Sequence, residues 1–245
     1  MNYAILLAGG TGSRINTEEP KQYIRAGGHM MITYAIRPLV DCSLVDTIYI
    51  VAERDRWEPI QNDIRDMGIP GKKISGYAEP GNNRQVSILN GLREILRIVE
   101  KVKGSSSFDD GDTVLIHDAA RPFLASVLLD MCYRSLPGHD GVMPVLPMKD
   151  TVYYSEDGSS VTELVDRSKI FAGQAPELFR LKAYFDANLA LLPDKIMQIN
   201  GASEPAFLAG MDIAMIAGDE TNIKITTDSD LKKYIEFYQI QRVHD

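Results

Sequence analysis

Residues 8–21, AGGTGSRINTEEPK, place three glycines and two cations directly after the apolar run 3–7, YAILL. A short apolar run closed by glycine reads as a buried strand. Gly9, Gly10 and Gly12 permit a tight turn and leave no Cβ between backbone N–H groups and a ligand. Successive exposed amides make an anion site, and Arg14 and Lys21 add positive charge at the same place. Pro20 stiffens the approach to Lys21 and restrains Glu19 away from helix. The spacing matches neither common phosphate signature. Lys21 follows a proline with no Ser or Thr after it, and Gly9-Gly10-Thr11-Gly12 lacks the G-x-G-x-x-G interval of a dinucleotide site. A glycine turn after a first strand is also ordinary in α/β proteins, so these residues point to an anion without naming it.

Three later stretches carry further candidates. Arg84 and Ser87 open an amphipathic helix over 85–102, after the loop Pro80-Gly81-Asn82-Asn83. Exposed amides and the dipole at a helix start favour an anion or a polar base edge, with ordinary capping as the alternative. His117-Asp118-Ala119-Ala120-Arg121-Pro122 follows the apolar strand 113–116. The carboxyl end of a central parallel strand is where open α/β sheets place ligands. Asp118 offers oxygen ligands to Mg²⁺, or else it caps the following segment beside Arg121. His117 reads as a packing or hydrogen-bonding residue. Lys224, in Asn222-Ile223-Lys224-Ile225-Thr226, sits near the end of a strand-like run where solvated lysines are common.

The elements that must position these groups alternate. Strands are expected at 45–51, 73–77, 113–116 and 140–145, and helices at 30–40, 57–67, 85–102, 124–136, 180–192, 205–217 and 231–239. Apolar strands alternating with helices predict a largely parallel sheet covered on both faces. The run 151–154, TVYY, and the run 160–165, SVTELV, flank an Asp157-Gly158 turn, a hairpin signal with no place in a parallel sheet. It is either a surface flap or an arm that pairs with a partner and buries its aromatics there. One domain over 1–245 is expected, with residues 149–167 as the arm.

Composition narrows the class. A net charge of −8 argues against broad nucleic-acid or anionic-membrane binding while leaving room for a local basic pocket. Cys42 and Cys132 make no disulfide framework, and the four histidines show no zinc spacing. With no basic leader and no apolar run long enough to span a bilayer, a cytoplasmic protein is expected.

Residues 7–14, LAGGTGSR, with Pro20-Lys21-Gln22-Tyr23, resemble the signature of the 2-C-methyl-D-erythritol 4-phosphate cytidylyltransferase family, including the related ribitol-5-phosphate cytidylyltransferases. HDAARP at 117–122, the hairpin region, Gln174-Ala175-Pro176-Glu177-Leu178-Phe179 and Asn222-Ile223-Lys224-Ile225-Thr226 are similar to further family motifs, so the resemblance runs from residue 7 to 226. It implies an α/β Rossmann-like nucleotidyltransferase fold, mostly parallel, with a protruding β-hairpin arm and a homodimer. The implied reaction moves CMP from CTP to 2-C-methyl-D-erythritol 4-phosphate, giving 4-diphosphocytidyl-2-C-methyl-D-erythritol and pyrophosphate with Mg²⁺. Ribitol 5-phosphate or another pentitol phosphate is the alternative acceptor, and a nucleotide-binding protein without chemistry is the alternative class.

Residue by residue, the resemblance assigns Arg14, Lys21 and Lys224 to catalysis. Ala8, Gly9, Gly10, Thr11, Gly12, Gly81, Arg84 and Ser87 go to CTP. Asp118, Arg121, Thr151 and Arg167 go to the substrate, with Asp118 also the metal ligand and Arg167 reaching the partner's site. This chain departs from the family pattern at Ala175, Glu177 and Ser203-Glu204-Pro205, and it has one glycine, Gly81, where a pair is usual. Glu177 near phosphates is repulsive unless paired. Ser203 is expected to cap the helix that follows it.

Overall fold

The computed structural model describes residues 1–10, 17, 19–104 and 107–244. Its framework is a sheet in which β1 (Asn2–Leu7) is central, with β4 (Thr47–Val51) and then β5 (Ile74–Ala78) on one side and β6 (Thr113–Asp118) on the other. All three of these pairings are parallel. The apolar runs form buried strands because both faces are covered. Along β1, Ala4 and Leu6 join one buried cluster while Tyr3 and Ile5 join the other. Alternate side chains of a strand point to opposite faces, so a doubly covered strand must be apolar throughout. Helices α1 (Met31–Asp41), α2 (Trp57–Asp66) and α4 (Ser126–Ser135) supply the first face, and α3 (Arg84–Lys103) and α5 (Leu181–Leu189) the second.

Beyond β6 the sheet is mixed. β11 (Glu177–Arg180) runs antiparallel between β6 and β7 (Gly141–Pro147), β10 (Phe171–Gly173) is antiparallel to β7, and β12 (Ile213–Ala217) is parallel to it. The expected mostly parallel, helix-covered sheet is therefore present with an antiparallel insertion. β11 matters for the site because it lays Glu177 beside Ile116, near the carboxyl end of β6.

Two expectations about elements are corrected. The helix over 205–217 is instead a short α6 (Glu204–Leu208) followed by β12. Gly210, at φ +73°, takes the left-handed conformation that ends helices, and residues 213–217 then gain a full parallel ladder with β7. That long-range pairing overrides a locally helix-compatible pattern. The strand over 222–226 is an irregular extended segment instead, tied to its neighbours by Ile225 N–H donating to Ala120 O at 2.8 Å. The last helix, α7 (Asp228–His244), is longer than 231–239, while 124–136 and 180–192 shorten to α4 and α5.

The hairpin forms as β8 (Val152–Tyr154) and β9 (Glu163–Val165), paired only with each other in a separate sheet. Its apolar side chains have no core to enter, and Tyr153, Tyr154, Val161 and Leu164 are all more than half exposed. The two remaining strands, β2 (Arg25–Ala26) and β3 (His29–Met30), make a small ribbon before α1. Among the described residues no helix is long and apolar enough to cross a membrane.

Candidate active site

The site is a cleft of about 360 Å³ at the carboxyl ends of β1 and β6. Leu7, Ala8, Gly9 and Gly10 come off β1, and Lys21 and Gln22 from a tight turn that follows the glycine segment. Gly81, Asn82, Asn83, Arg84 and Ser87 come from the start of α3, Asp118 and Ala120 from the end of β6, and Lys224 from the segment before α7. Strand ends and a helix start thus converge, as the topology of an open α/β sheet requires.

The glycine segment is clamped from behind. Gln22 Nε2 donates to the carbonyls of Ala8 at 2.6 Å and Gly10 at 2.7 Å, and Tyr23 Oη donates to Ala8 O at 2.9 Å. These clamps were missed as functional residues, although Gln22 and Tyr23 stand in the very motif that marked Lys21. A Cβ on Gly9 would collide with the Pro80 ring, whereas among the described residues nothing lies within 4 Å of one on Gly10. Gly9 is needed for loop-to-loop contact. At the opposite wall, Asn83 caps α3 by accepting from Val86 N–H at 2.8 Å. Ser87 is not the cap. Its Oγ accepts from Gly81 N–H at 3.0 Å and donates to Asn83 O at 2.8 Å, which braces the 81–83 loop.

Asp118 is the electrostatic centre. Arg84 Nη2 donates to its Oδ1 at 2.9 Å, and Lys224 Nζ donates to its Oδ2 at 2.9 Å. Burial alone pushes a carboxyl up, but Arg84 and Lys224 hold Asp118 well below the usual carboxylate range. Behind Arg84 sits Glu177, with Oε1 4.0 Å from Nη2. Burial pushes the Glu177 carboxyl up to about 7, opposed by Arg84 and the Ser203 hydroxyl, and Asp118 adds to the rise. Among the described residues its buried Oε2 has no hydrogen-bond partner. Burial disfavours the Arg84 charge, yet Asp118 and Glu177 outweigh that and hold the guanidinium protonated. Glu177 is therefore a buried group behind a cation. Ser203 makes no capping bond to α6, and Glu204 accepts from Asn200 and Gly201 N–H groups instead.

The other expected site residues are placed elsewhere. Arg121 stands behind the cleft, 4.0 Å from Asp118 and donating through Nη1 to Asn222 O at 2.6 Å. Thr151 and Arg167 are exposed at the base of the arm, where Arg167 Nη1 donates to Lys149 O at 2.6 Å. Neither lines the cleft of its own chain. Thr11, Gly12 and Arg14 lie outside the described residues. His117 is fully buried, donates through Nε2 to Arg121 O at 3.2 Å, and burial lowers it to about 4, so it is a neutral structural imidazole.

Among the described residues no group of three or more metal-ligating side chains exists. Among the described residues, Asp118 is the one carboxylate lining the cleft, against Lys21, Arg84 and Lys224. A lone carboxylate in a cationic cleft does not make a protein-built metal site. It does fit Mg²⁺ that arrives on nucleotide phosphates, because that ion takes one or two carboxylates plus phosphate and water oxygens.

A strand-end cleft of this kind, lined by backbone and cationic groups on a Rossmann-like sheet with helices on both faces, is that of a nucleotidyltransferase. Comparison with known proteins makes the class specific. The family model described as IspD, 2-C-methyl-D-erythritol 4-phosphate cytidylyltransferase, matches residues 2–239. The 2-C-methyl-D-erythritol 4-phosphate cytidylyltransferase of Rubrobacter xylanophilus is 33% identical over 93% of this chain and 90% of its own length. The bifunctional enzyme IspD/IspF of Bartonella bacilliformis is 31% identical over 94% of this chain, which spans 54% of that larger protein. In fold, the chain superposes with a TM-score of 0.75 on the 4-diphosphocytidyl-2C-methyl-D-erythritol synthase of Anaerococcus prevotii, at 24% identity and covering 97% and 96% of the two chains. The chain belongs to the IspD family of cytidylyltransferases.

Proposed function

We propose that this chain transfers CMP from CTP to 2-C-methyl-D-erythritol 4-phosphate by direct attack of the acceptor phosphate on the α-phosphorus, with pyrophosphate leaving. The activity itself follows from family membership over residues 2–239. The division of labour rests on one observation, the Asp118 carboxylate holding Arg84 and Lys224 at the cleft. A phosphate monoester has a second pKa of about 6, so the nucleophile is already ionised near neutral pH and needs no general base. That suits a cleft whose neighbouring histidine is buried and neutral.

The cations do the chemistry. Lys21 and Lys224, with Arg14 from the glycine segment, offset charge on the α-phosphate and on the departing pyrophosphate. Fixed charges of this sort lower a barrier because they need no reorganisation as the reaction proceeds. Asp118 keeps Arg84 and Lys224 apart and aimed before the nucleotide arrives. The amides at Gly9 and Gly10 and the braced loop at Gly81 and Ser87 receive CTP. Asp118 would hold Mg²⁺ that arrives with the nucleotide, and the ion would supply further charge neutralisation there. Thr151 and Arg167, outside their own cleft, serve the acceptor phosphate of the partner across a homodimer, with the exposed β8–β9 arm as the contact. Arg121 holds the 118–122 turn against residues 221–225.

Pyrophosphate release from CTP with a panel of acceptors tests this reading. Turnover is expected with methylerythritol phosphate above that with ribitol 5-phosphate. Equal or preferential use of ribitol 5-phosphate moves the acceptor assignment to the pentitol phosphates, and CTP binding without turnover on any acceptor removes the catalytic reading.

A further inference from the structure

A second and larger cavity, of about 1330 Å³, lies between α1, the turn at 122–124, the segment before α7, and α7 itself. It shares no lining residue with the catalytic cleft. The two are separated by a partition made of residues 120–124 and 221–225, joined by Ile225 N–H to Ala120 O at 2.8 Å and Arg121 Nη1 to Asn222 O at 2.6 Å.

Its walls are flat and aromatic. Tyr34 stacks on Tyr238 at 3.6 Å between ring centroids, and Phe123 stacks parallel to Tyr238 at 5.7 Å. Its charge is one-sided. In a chain of net charge −8, the lining holds no Asp or Glu among the described residues, while Arg37 and Lys233 both border it. Among the described residues neither cation has a carboxylate within 4.0 Å. Arg37 donates only to the Met67 carbonyl, at 2.9 Å. Surface cations in an acidic protein ordinarily sit near acids, so two unneutralised ones beside stacked rings are complementary to an anion carrying an apolar ring.

We infer that this cavity is a binding site for a ring-bearing organic anion, of the aryl phosphate class, with the ring against Phe123 and Tyr238 and the anionic group at Arg37 and Lys233. The site is separate from the one that takes CTP, and its occupancy does not depend on the assigned reaction.

Calorimetric titration of the full chain with 1-naphthyl phosphate, at saturating CTP and Mg²⁺ without acceptor, tests it. One event per chain is expected, unchanged in Lys21→Ala and weakened about tenfold or more in Lys233→Glu. Inorganic phosphate and 1-naphthol, each holding half of the chemistry, should bind more weakly than the ester. Lys233 is exposed on α7, so its replacement leaves the fold intact, and Arg37→Glu gives a second charge reversal. Absence of binding at millimolar probe overturns the inference, as does equal binding by Lys233→Glu. Binding that CTP or Lys21→Ala abolishes places the probe in the catalytic cleft instead. A change of oligomeric state in the Lys233→Glu protein, seen by sedimentation without any probe binding in the parent, makes this face a contact between copies and also overturns it.

Discussion

Lys224 Nζ lies 2.9 Å from Asp118 Oδ2, although the two residues are 106 positions apart in the sequence. The other oxygen of the same carboxylate is taken by Arg84 at 2.9 Å. One buried anion thus positions two cations that would otherwise repel each other beside the cleft proposed to take the phosphates. When a nucleotide supplies competing oxygens, the cations need to shift rather than fold into place. Electrostatic preorganisation has this form.

Asp118→Asn should therefore damage both stability and turnover. Removing one partner of a buried charge cluster costs on the order of 3 kcal/mol, because the remaining charges are left uncompensated. The depressed native pKa of Asp118 adds stability above the unfolded carboxylate value of about 3.9, and that stability is lost as pH falls toward the native value. Denaturant titrations from pH 6 down to roughly 3 should show a shallower acid loss in Asp118→Asn than in the parent. Parallel curves would remove Asp118 from the acid transition.

Replacing Lys21 or Lys224 with alanine should lower kcat by about two orders of magnitude, corresponding to about 3 kcal/mol for a lost transition-state contact. The Lys21→Ala fold should persist, since that side chain lines the cleft and joins no apolar cluster. Lys224→Ala also leaves buried Asp118 with one cation fewer and should lose stability while remaining folded. Steady-state pyrophosphate release beside circular dichroism checks this. A folded variant as fast as the parent takes that lysine out of the mechanism.

Gln22→Ala acts at one remove. It frees the Ala8 and Gly10 carbonyls and loosens the glycine segment without touching the reacting atoms. A hydrogen bond of this kind is worth about 1 kcal/mol net, so KM for CTP should rise about fivefold while kcat changes less. A fall in kcat with KM unchanged would contradict the clamp assignment.

Glu177 has the opposite pH sign from Asp118. Its native pKa is raised, to about 7, so the folded protein binds the proton more tightly than the unfolded chain does. Stability from this group is complete below the unfolded carboxylate value of about 4.3 and declines as pH rises to about 7. Glu177→Gln, which keeps the shape and removes the titration, should gain stability relative to the parent across that window. Thermal melts at pH 4.5, 6 and 8 decide it, and a constant difference between the two proteins would contradict the raised value.

Arg167→Ala tests the arm across subunits. Alone it should raise KM for the acceptor. Mixed after co-refolding with inactive Lys21→Ala, it should recover about a quarter of parent turnover, because half of the dimers are hybrid and each hybrid holds one complete site. No recovery in a verified hybrid would return Arg167 to its own chain.

Much of the framework was legible from local pattern. β1, β4 and β6 are continuous apolar runs because they are buried on both faces, and the cues for β1, α1, α2 and α3 are all contained within each segment. The failures share a cause. Residues 213–217 could satisfy a helix locally and became a strand because β7 offered a ladder, and residues 222–226 looked like a strand but found no such partner.

For the site, residue types pointed to an anion, the resemblance of separated motifs gave the nucleotidyltransferase class, and both singled out Lys21, Asp118 and Lys224, which the fold brings to one cleft. Tertiary structure alone decided that Asp118 joins Arg84 to Lys224, that Ser87 braces a loop instead of capping a helix, and that Glu177 is a buried carboxyl at Arg84's back. Those relationships depend on burial and on distances between strands far apart in sequence, and it is burial and distance that set the strength of a charge.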